Sequence, residues 1–546
     1  MSHVSAMSLA SNVGGATPDQ RAQGPEVPTG RRSAGKSDRP ASARRRLLFV
    51  AAVVVGLLLR LTLALIAPRY AFVGDHVANL LWGMAAEDRG IVQVYNLKTA
   101  DLPVATGTMV DATGVQITRT IPAGAIGLPN HPPLAIALYE IQAKLLRAIL
   151  PSATLNTATT RLLVAGTQMP FDIALAVAIG LLAAIVGGAP TGRDAAALAW
   201  LFPPFALNSS FWGQVDTVLL VPAVLAIVLI LRNRWVAGGV VWGLGLLFKP
   251  QAILIAPVVV FAAFMSPGQR ARPALRAALS RLASFGTAGI GVAFLVSLPW
   301  TVRGGAAWFE RCYVDNITHA YPLTTLKAFN VWYLDALRLD GALRPVLDSH
   351  QRVLGVSKDA WGHGFLLVSL VGAALLAWRR YARSREGVVV FAALWLWSAF
   401  IWPTRVHERY ILYATPFVLA LAACRRRWVP VALALVVVGS AEQTWLTWMR
   451  GVPAASLVSE DAVADRYFKD EAAYGQLGAN SQKAPRPTLQ AAESEVSREA
   501  APRRAQYVLQ RRAVWPIELT ITVLSLAAYV AAWWLAFGPR AMPSTA

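Results

Sequence analysis

Cysteine and acidic residues are scarce in this chain of 546 residues, which has 2 Cys and 30 Asp or Glu against 51 Lys or Arg. The topology derived below puts Cys312 and Cys424 on opposite membrane faces, so we expect neither a disulfide nor a cysteine-bound metal. Charged residues make up only 15% of the chain, whereas roughly a quarter is usual in soluble proteins. This shortage of charge excludes an ordinary soluble domain.

Motifs of soluble enzymes give no support to a soluble catalytic domain. The pattern GxxxxGK[ST] occurs at residues 30–37 as GRRSAGKS, but it lies in a tail rich in Gly, Ser, Pro and Arg with no apolar strand before it, which argues against a P-loop ATPase. The sequence lacks an Asp-x-Asp pair that could hold the metal of a nucleotide sugar, and it shows no internal repeat. If the protein handles an activated group, we expect that group to arrive in the membrane on a lipid, and we expect no cofactor.

Apolar residues are abundant and fall into long runs. They form 55% of the chain, and the mean hydropathy is +0.47. The runs approach the length of about 17–25 residues that crosses a bilayer. They lie at roughly 47–66, 161–187, 195–209, 215–231, 236–248, 251–265, 283–302, 363–378, 387–402, 409–424, 427–447 and 515–537. We therefore predict an all-α polytopic membrane protein, a bundle of about 12 transmembrane helices.

The basic residues orient this bundle. The formal charge of +21 could indicate a nucleic-acid partner, but the Lys and Arg residues cluster in short loops between apolar runs, as on the cytoplasmic side of membrane proteins. We therefore predict membrane lipids as partners and no nucleic acid. The arginine-rich loops all fall in the cytoplasm only if the helix after Pro133 lies in the membrane interface instead of crossing it. Three ionisable residues on that helix favour the same conclusion: Glu140, Lys144 and Arg147.

This topology gives a domain plan. We predict a disordered basic cytoplasmic tail at 1–46 and a transmembrane catalytic domain at 47–450, whose first external loop, 68–160, carries interfacial helices. A polar, partly disordered external loop follows at 451–514, and then a last transmembrane helix with a short tail at 515–546. The shortness of several apolar runs is typical of helices that border a polar cavity.

The stretch FVGDHVANLLW, residues 72–82, opens the first external loop and contains Asp75. A carboxylate at the mouth of a membrane span is costly unless water, a partner or a function keeps it there. Asp75 is therefore a candidate catalytic base. The alternative is that it only caps a surface helix.

Two further polar clusters fall on the same predicted membrane face. In FWGQVD, Trp212 offers an aromatic face and Gln214 and Asp216 offer polar groups, a combination suited to sugar rings; the alternative is a turn with an interfacial tryptophan. In FKPQ, Lys249 could supply a cation for a phosphate, or it could extend to the interface from an apolar helix.

The fourth cluster, TRVHERY, is the strongest. Arg405, His407 and Arg409 alternate in a short loop on the predicted outer side, where a positive-inside protein should avoid them. A phosphate leaving group needs such groups because it keeps its negative charge as its bond breaks. We therefore assign Arg405, His407, Arg409 and Lys249 as candidate phosphate-binding residues. The alternative is a salt-bridged turn.

These clusters, in this order, resemble the GT-C superfamily of membrane glycosyltransferases, which includes enzymes that use dolichyl- or polyprenyl-phosphate sugars. GDHVANLLW resembles the family's Gly-Asp start of the first external loop, and HPPL, beginning at His131, is similar to its Tyr-Pro-Pro-Leu. FWGQVD and VHERY are similar to its later motifs. The likeness covers residues 45–450 or so; His131 replaces the usual Tyr, and the segment after 450 has no counterpart.

The resemblance implies an inverting transfer of a hexose, with mannose favoured, to a lipid-linked or surface glycan acceptor. Asp75 would be the catalytic base, and Trp212, Gln214, Asp216 and His131 would contact the sugar or the acceptor. The donor would be a polyprenyl-phosphate sugar, and no metal would be needed. The short tail and arginine-rich loops favour a bacterial inner-membrane enzyme whose site faces the periplasm.

Two other classes of protein fit parts of the pattern. A surface-polysaccharide polymerase or ligase would share the external acid and the arginines. A multi-span transporter or lipid flippase would share the intramembrane charges, and such proteins often have repeated halves with paired broken helices.

Overall fold

The structure is a computed structural model. Two compact units divide the chain, Met1–Leu48 and Phe49–Ala546, and the first contributes only the start of one long helix to the described residues. The residues described are 39–71, 74–98, 105–110, 116–121, 128–150, 155–265, 274–315, 324–337, 348–381, 384–450, 466, 487–500 and 504–537.

Most of the described chain is helical. The first half contains α1 (Arg39–Tyr70), α2 (Gly74–Arg89), α3 (Pro133–Ile149), α4 (Ala158–Gly187), α5 (Ala189–Leu201), α6 (Pro203–Ala206), α7 (Asp216–Leu231), α8 (Trp235–Leu246) and α9 (Ala256–Met265). The second half contains α10 (Leu275–Gly304), α11 (Ala307–Phe309), α12 (Tyr333–Leu337), α13 (Lys358–Arg380), α14 (Arg385–Ile401), α15 (Thr415–Cys424), α16 (Val429–Arg450), α17 (Leu489–Ala500) and α18 (Arg504–Phe537).

Among the described residues, 5 helices are long and apolar enough to cross a membrane. They are Leu47–Tyr70, Ala158–Gly187, Leu275–Gly304, Lys358–Arg380 and Ala513–Ala536. This pattern is that of a helical protein embedded in a membrane, as the sequence predicts. The other predicted runs form helices that are shorter, interrupted or, in α16, carry the polar residues Glu442 and Gln443.

The interruptions coincide with the polar clusters. Pro203 and Pro204 end α5, and a π-helical turn, Leu207–Trp212, follows just before Gln214 and Asp216. Short 3-10 helices occupy Pro250–Ile255, next to Lys249, and Glu408–Tyr413, within TRVHERY. Proline lacks the amide hydrogen that an α-helix needs, and irregular backbone at membrane depth is tolerated where protein or a cavity surrounds it. The broken helices therefore meet around one polar region.

Two small sheets interrupt the helical fold, and the sequence analysis did not predict them. Strands β1 (Ala105–Val110) and β2 (Gln116–Ile121) pair antiparallel in the first loop, and β3 (Arg352–Val353) and β4 (Val356–Ser357) pair just before α13. In β1 and β2, threonine, valine and isoleucine are frequent, and these β-branched residues favour strands over helices.

Helices α2 and α3 pack against each other in the first loop. Arg147, on α3, donates two hydrogen bonds to Asp88 on α2, at 2.5 and 2.9 Å. Lys144 pairs with Glu140 at 2.7 Å. The charged residues of α3 are thus paired at its surface, and α3 is not among the described helices with membrane-spanning character.

Glycines set the spacing between α8 and α10. A Cβ atom at Gly239 or Gly243 would collide with the backbone carbonyl oxygens of Phe285 and Gly289. Small residues four positions apart allow two helices in a membrane to approach closely. The main hydrophobic core includes Trp242 and Phe285 at this contact and continues through α14, α15 and α18.

Two predicted segments fall largely outside the described residues. Of the tail predicted at 1–46, residues 1–38 are outside, and α1 begins at Arg39. Of the loop predicted at 451–514, the described residues include α17 and the start of α18. The last helix therefore begins at Arg504, before the predicted 515, as a polar extension of its apolar segment.

Candidate active site

The four polar clusters meet at the ends of broken helices. Asp75 lies in the first turn of α2, where the helix dipole favours a carboxylate. The turn that ends at Gln214 brings its side chain to Asp75, and Lys249 and Arg409 come from the two 3-10 segments. The sequence prediction that these clusters lie close together agrees with these contacts.

Asp75 is the accessible carboxylate of the group. Its Oδ2 atom accepts hydrogen bonds from Gln214 Nε2 at 2.5 Å and Trp212 Nε1 at 3.2 Å, and Arg409 Nη1 lies 3.7 Å away. The side chain is nevertheless 35% exposed. Asp75 is therefore held in place by two hydrogen bonds and a nearby positive charge, while water or a substrate can still reach it.

Asp216 has the opposite environment. Its side chain is 0% exposed and accepts hydrogen bonds from Lys249 Nζ at 2.5 Å and Tyr413 OH at 2.7 Å. Asn208 Nδ2 and Arg409 Nε each approach its other oxygen to 3.4 Å. The carboxylate of Asp216 is therefore enclosed by side chains in this structure, and its contact with a sugar or an acceptor stays a prediction.

Trp212 and Gln214 are buried as well, each with 2% of its surface exposed. The face of Trp212 predicted to stack on a sugar is therefore covered. Both side chains donate to Asp75, and we interpret them as positioning residues for that carboxylate. The sequence pattern could not distinguish an exposed aromatic face from one buried under a π-helical turn.

Arg409 links the three acids of the site. Its Nη1 atom contacts Glu408 at 2.8 Å and Asp75 at 3.7 Å, and its Nε atom lies 3.4 Å from Asp216. Its side chain is 11% exposed. Lys249 is similarly engaged with Asp216 and is 3% exposed as a residue. Arg409 and Lys249, two of the predicted phosphate-binding residues, are thus both ion-paired with carboxylates.

His407 and Glu408 form the outer side of this network. Burial acts to raise the pKa of Glu408, but the positive charge of Arg409 and a hydrogen bond from His407 outweigh it and bring the pKa to about 2. Burial and the charge of Arg409 lower the pKa of His407 below its usual range. His407 is 28% exposed in its side chain and neutral near pH 7, so it can offer a hydrogen bond but not a positive charge.

The side chain of Arg405 pairs with a different acid, Asp359. It adopts a positive φ of 60° and donates to Asp359 at 2.6 Å and to Ser349 at 3.4 Å. Thr404 also donates to Asp359. Arg405 thus pairs with a distant acid outside the motif, whereas Arg409 contacts Asp75, and Lys249 and His407 contact the neighbouring acids Asp216 and Glu408.

His131 borders the site from the HPPL turn. Its Nδ1 atom is 2.7 Å from Tyr139 OH, and Tyr95 OH donates to its backbone carbonyl at 2.6 Å. Burial, followed by the charges of Lys249 and Arg409, lowers the pKa of His131 to about 3. His131 is therefore a neutral, oriented imidazole beside the acids.

The half-buried, neutral imidazole of His131 predicts acid sensitivity. Because the pKa of His131 is about 3 in the folded chain and 6.5 ordinarily, its contribution to stability is present above pH 6.5 and is lost as the pH falls toward 3. Between pH 7.5 and 5 we expect a loss of up to about 2 kcal/mol from this residue. Thermal unfolding of the purified protein at both pH values measures it.

His131→Gln keeps an acceptor for Tyr139 and should flatten part of this pH dependence. His363→Gln, which removes an exposed histidine, is the matched control and should keep the wild-type response. An equal acid-induced drop in the midpoint for wild type and His131→Gln would contradict the half-buried, neutral assignment of His131.

Residues of α4 that the sequence analysis missed hold the turn that carries Trp212. Arg161 donates to the carbonyl oxygens of Phe211 and Trp212 at 3.2 and 3.0 Å. Gln168 donates to the carbonyl of Gly213 at 3.2 Å. Gly213 has a φ of 82°, and a Cβ atom there would lie 3.1 Å from His76, so this position favours glycine.

A second group of residues that the sequence analysis did not predict lies further along α4. Asp172, on α4, pairs with Arg60 of α1 at 2.7 Å and accepts from Ser209 of the π-helical turn at 2.6 Å. Both charged side chains are 1% exposed or less. Arg161, Gln168 and Asp172 share one face of α4, and this polar stripe in an apolar run was the signal that could have revealed them.

Among the described residues, no group of three or more His, Cys, Asp or Glu side chains is arranged to hold a metal ion. The acids of the site are instead paired with Lys249 and Arg409. The arrangement provides a reachable carboxylate within a fixed, buried network of charges. A scan of known protein families found none that matches the chain, and a search of curated proteins found no match.

Proposed function

We propose that the protein is a membrane glycosyltransferase of the GT-C type that transfers a hexose, with mannose favoured, from a polyprenyl-phosphate sugar to a lipid-linked or surface glycan acceptor. The proposal includes a bundle of about 12 transmembrane helices, a location in the bacterial inner membrane and a site that faces the periplasm. The supporting observation is the contrast between Asp75, which is 35% exposed, and Asp216, which is 0% exposed and ion-paired.

Asp75 would act as the general base. It would take the proton from the acceptor hydroxyl as that oxygen forms a bond to the anomeric carbon on the face opposite the phosphate. The bond between the anomeric carbon and the phosphate oxygen would break, and the polyprenyl phosphate would leave with the bonding electron pair. Because a phosphate leaves without protonation, a single accessible carboxylate suffices, whereas inverting hydrolysis of an ordinary glycoside uses two.

The other residues of the site would prepare Asp75 for this step. Gln214 and Trp212 fix one of its oxygens through hydrogen bonds, and Arg409 keeps a positive charge nearby. These contacts restrict the rotation of the carboxylate. His131 and His407, both neutral, would offer hydrogen bonds to hydroxyl or phosphate oxygens of the substrates.

The interrupted helices also support a second function, a transporter or flippase of lipid-linked sugars. Broken helices that surround intramembrane charges are common in transporters. A transporter would move a labelled lipid across a sealed vesicle without breaking its sugar–phosphate bond. A transferase would break that bond.

Transfer by the purified protein tests the proposal. We expect the chain, supplied with radiolabelled polyprenyl-phosphate mannose and a lipid extract of bacterial membranes, to move label to the acceptor fraction and to release polyprenyl phosphate. Protein denatured beforehand is the control. If the folded protein consumes none of the polyprenyl-phosphate hexoses, including those of mannose, glucose and galactose, the proposed function is wrong.

A further inference from the structure

A segment of the external loop crosses the outer edge of the site, and we call this segment, Thr324–Asn330, the strap. Leu326 N donates to Val406 O at 3.0 Å, and Glu408 N donates to Leu326 O at 3.3 Å. Phe329 N donates to the Glu442 side chain at 2.7 Å. The strap is thus bonded by its backbone to the residues that flank His407.

Lys327 occupies a strained position at the centre of the strap. Its φ is 67°, a left-handed conformation that brings Cβ close to the following carbonyl in residues other than glycine. Backbone pairing joins both Leu326 and Lys327 to His407, and the side chain of Lys327 is partly exposed. Strained residues held by surrounding bonds occur preferentially at functional sites.

The balance of charges around Asp75 bears on the role of Lys327. The described ionised groups around Asp75 comprise three acids, Asp75, Asp216 and Glu408, and two cations, Lys249 and Arg409, so this group carries a net negative charge. An anionic substrate would be repelled unless a further cation faced it. The charge of Lys327 acts on Glu408, which places the lysine within electrostatic range of this network.

We propose that Lys327 is a binding residue for the phosphate ester of a lipid substrate, held over the site by the strap. The proposal rests on the proposed function for the identity of the lipid, but not for the chemistry of binding. The ammonium group would contact the phosphate oxygens, and neutral His407 beside it would add a hydrogen bond. The backbone pairing would hold the lysine beside His407, at the edge of the charge network that includes the partly exposed Asp75.

Lys327→Gly tests this because glycine adopts a positive φ without strain and removes only the side chain. The probe is a short-chain polyprenyl phosphate without a sugar, titrated into purified protein in detergent. We expect Lys327→Gly to bind it at least about 10-fold more weakly than wild type. Lys327→Arg, which keeps the charge, should remain within about threefold of wild type.

Two controls separate charge from folding and from general lipid binding. Lys144→Ala removes a lysine of α3 that pairs with Glu140 and is 56% exposed, and it should leave binding unchanged. Lys327→Asn tolerates the same backbone and replaces the glycine variant if that variant unfolds. Titrations with inorganic phosphate and with phosphatidylglycerol should show weaker binding and little difference between wild type and Lys327→Gly.

Equal affinity of wild type and Lys327→Gly for polyprenyl phosphate would overturn the assignment, and so would a wild-type protein that does not bind it. If phosphatidylglycerol shows the same loss as polyprenyl phosphate, Lys327 binds membrane lipid and the assignment to the substrate is wrong. A loss of polyprenyl-phosphate binding in Lys327→Gly, together with no sugar transfer by wild type, would support Lys327 and reject only the proposed function.

Discussion

Asp75→Asn is expected to lower the rate of sugar transfer at least about 100-fold, the lower scale for losing general-base catalysis. Asparagine keeps the shape of the side chain, and its oxygen can still accept from Gln214 and Trp212, which donate to Asp75 at 2.5 and 3.2 Å. It cannot take a proton from the acceptor hydroxyl. Turnover by purified variants, measured with saturating donor, gives the result.

Under the proposed mechanism the carboxylate acts on the acceptor and not on the phosphate, so binding of the donor should survive this substitution. Asp88→Asn is the matched control: Asp88 lies on the same helix, pairs with Arg147 at its surface and is 44% exposed. Its variant should transfer sugar at nearly the wild-type rate. Near-normal turnover by Asp75→Asn would remove Asp75 from the chemistry.

Asp216→Asn should act mainly on folding. It leaves Lys249, whose side chain is 4% exposed, without the carboxylate that lies 2.5 Å from its ammonium group. Removing one partner of a buried ion pair costs roughly 3–5 kcal/mol because the other charge stays buried and uncompensated. We expect a large fall in thermal stability and in the yield of folded protein.

A second substitution should rescue this variant. Asp216→Asn combined with Lys249→Met removes both charges, and apolar replacement of a whole buried pair is often close to neutral. The double variant should therefore recover much of the lost stability. Glu386→Gln, which breaks a pair with the 53% exposed side chain of Arg425, is the control and should change stability by about 1 kcal/mol or less. If Asp216→Asn is as stable as wild type, the buried pair is not structural.

The sequence predicted which residues lie close together at the site better than it predicted the role of each. Positive-inside loops and apolar runs placed Asp75, Gln214, Lys249 and Arg409 on one face because these patterns depend on bilayer thickness and loop charge. Their burial depends on how the broken helices pack. No local pattern indicated that Asp216 would be enclosed by Lys249 and the distant Tyr413.

Long-range pairing explains the remaining differences. Arg405 contacts Asp359, an acid that follows the β3–β4 hairpin and that no motif connects to TRVHERY. The pairing of Arg60 with Asp172 joins two apolar helices, and each residue alone was an isolated charge in a hydrophobic run. The tertiary fold determines which residues form such pairs. The polar residues along one face of α4 were the only sequence signal that could have indicated them.

The ratio of transfer rates between two purified variants tests the central claim most directly. One variant is Asp75→Asn, and the other is the doubly substituted protein with Asp216→Asn and Lys249→Met, both assayed as folded protein with the same donor. If Asp75 is the base and Asp216 only organises buried charges, the double variant should transfer sugar at least about 10-fold faster than Asp75→Asn. Near-normal transfer by Asp75→Asn, with none by the double variant, would remove Asp75 as the base and contradict the account.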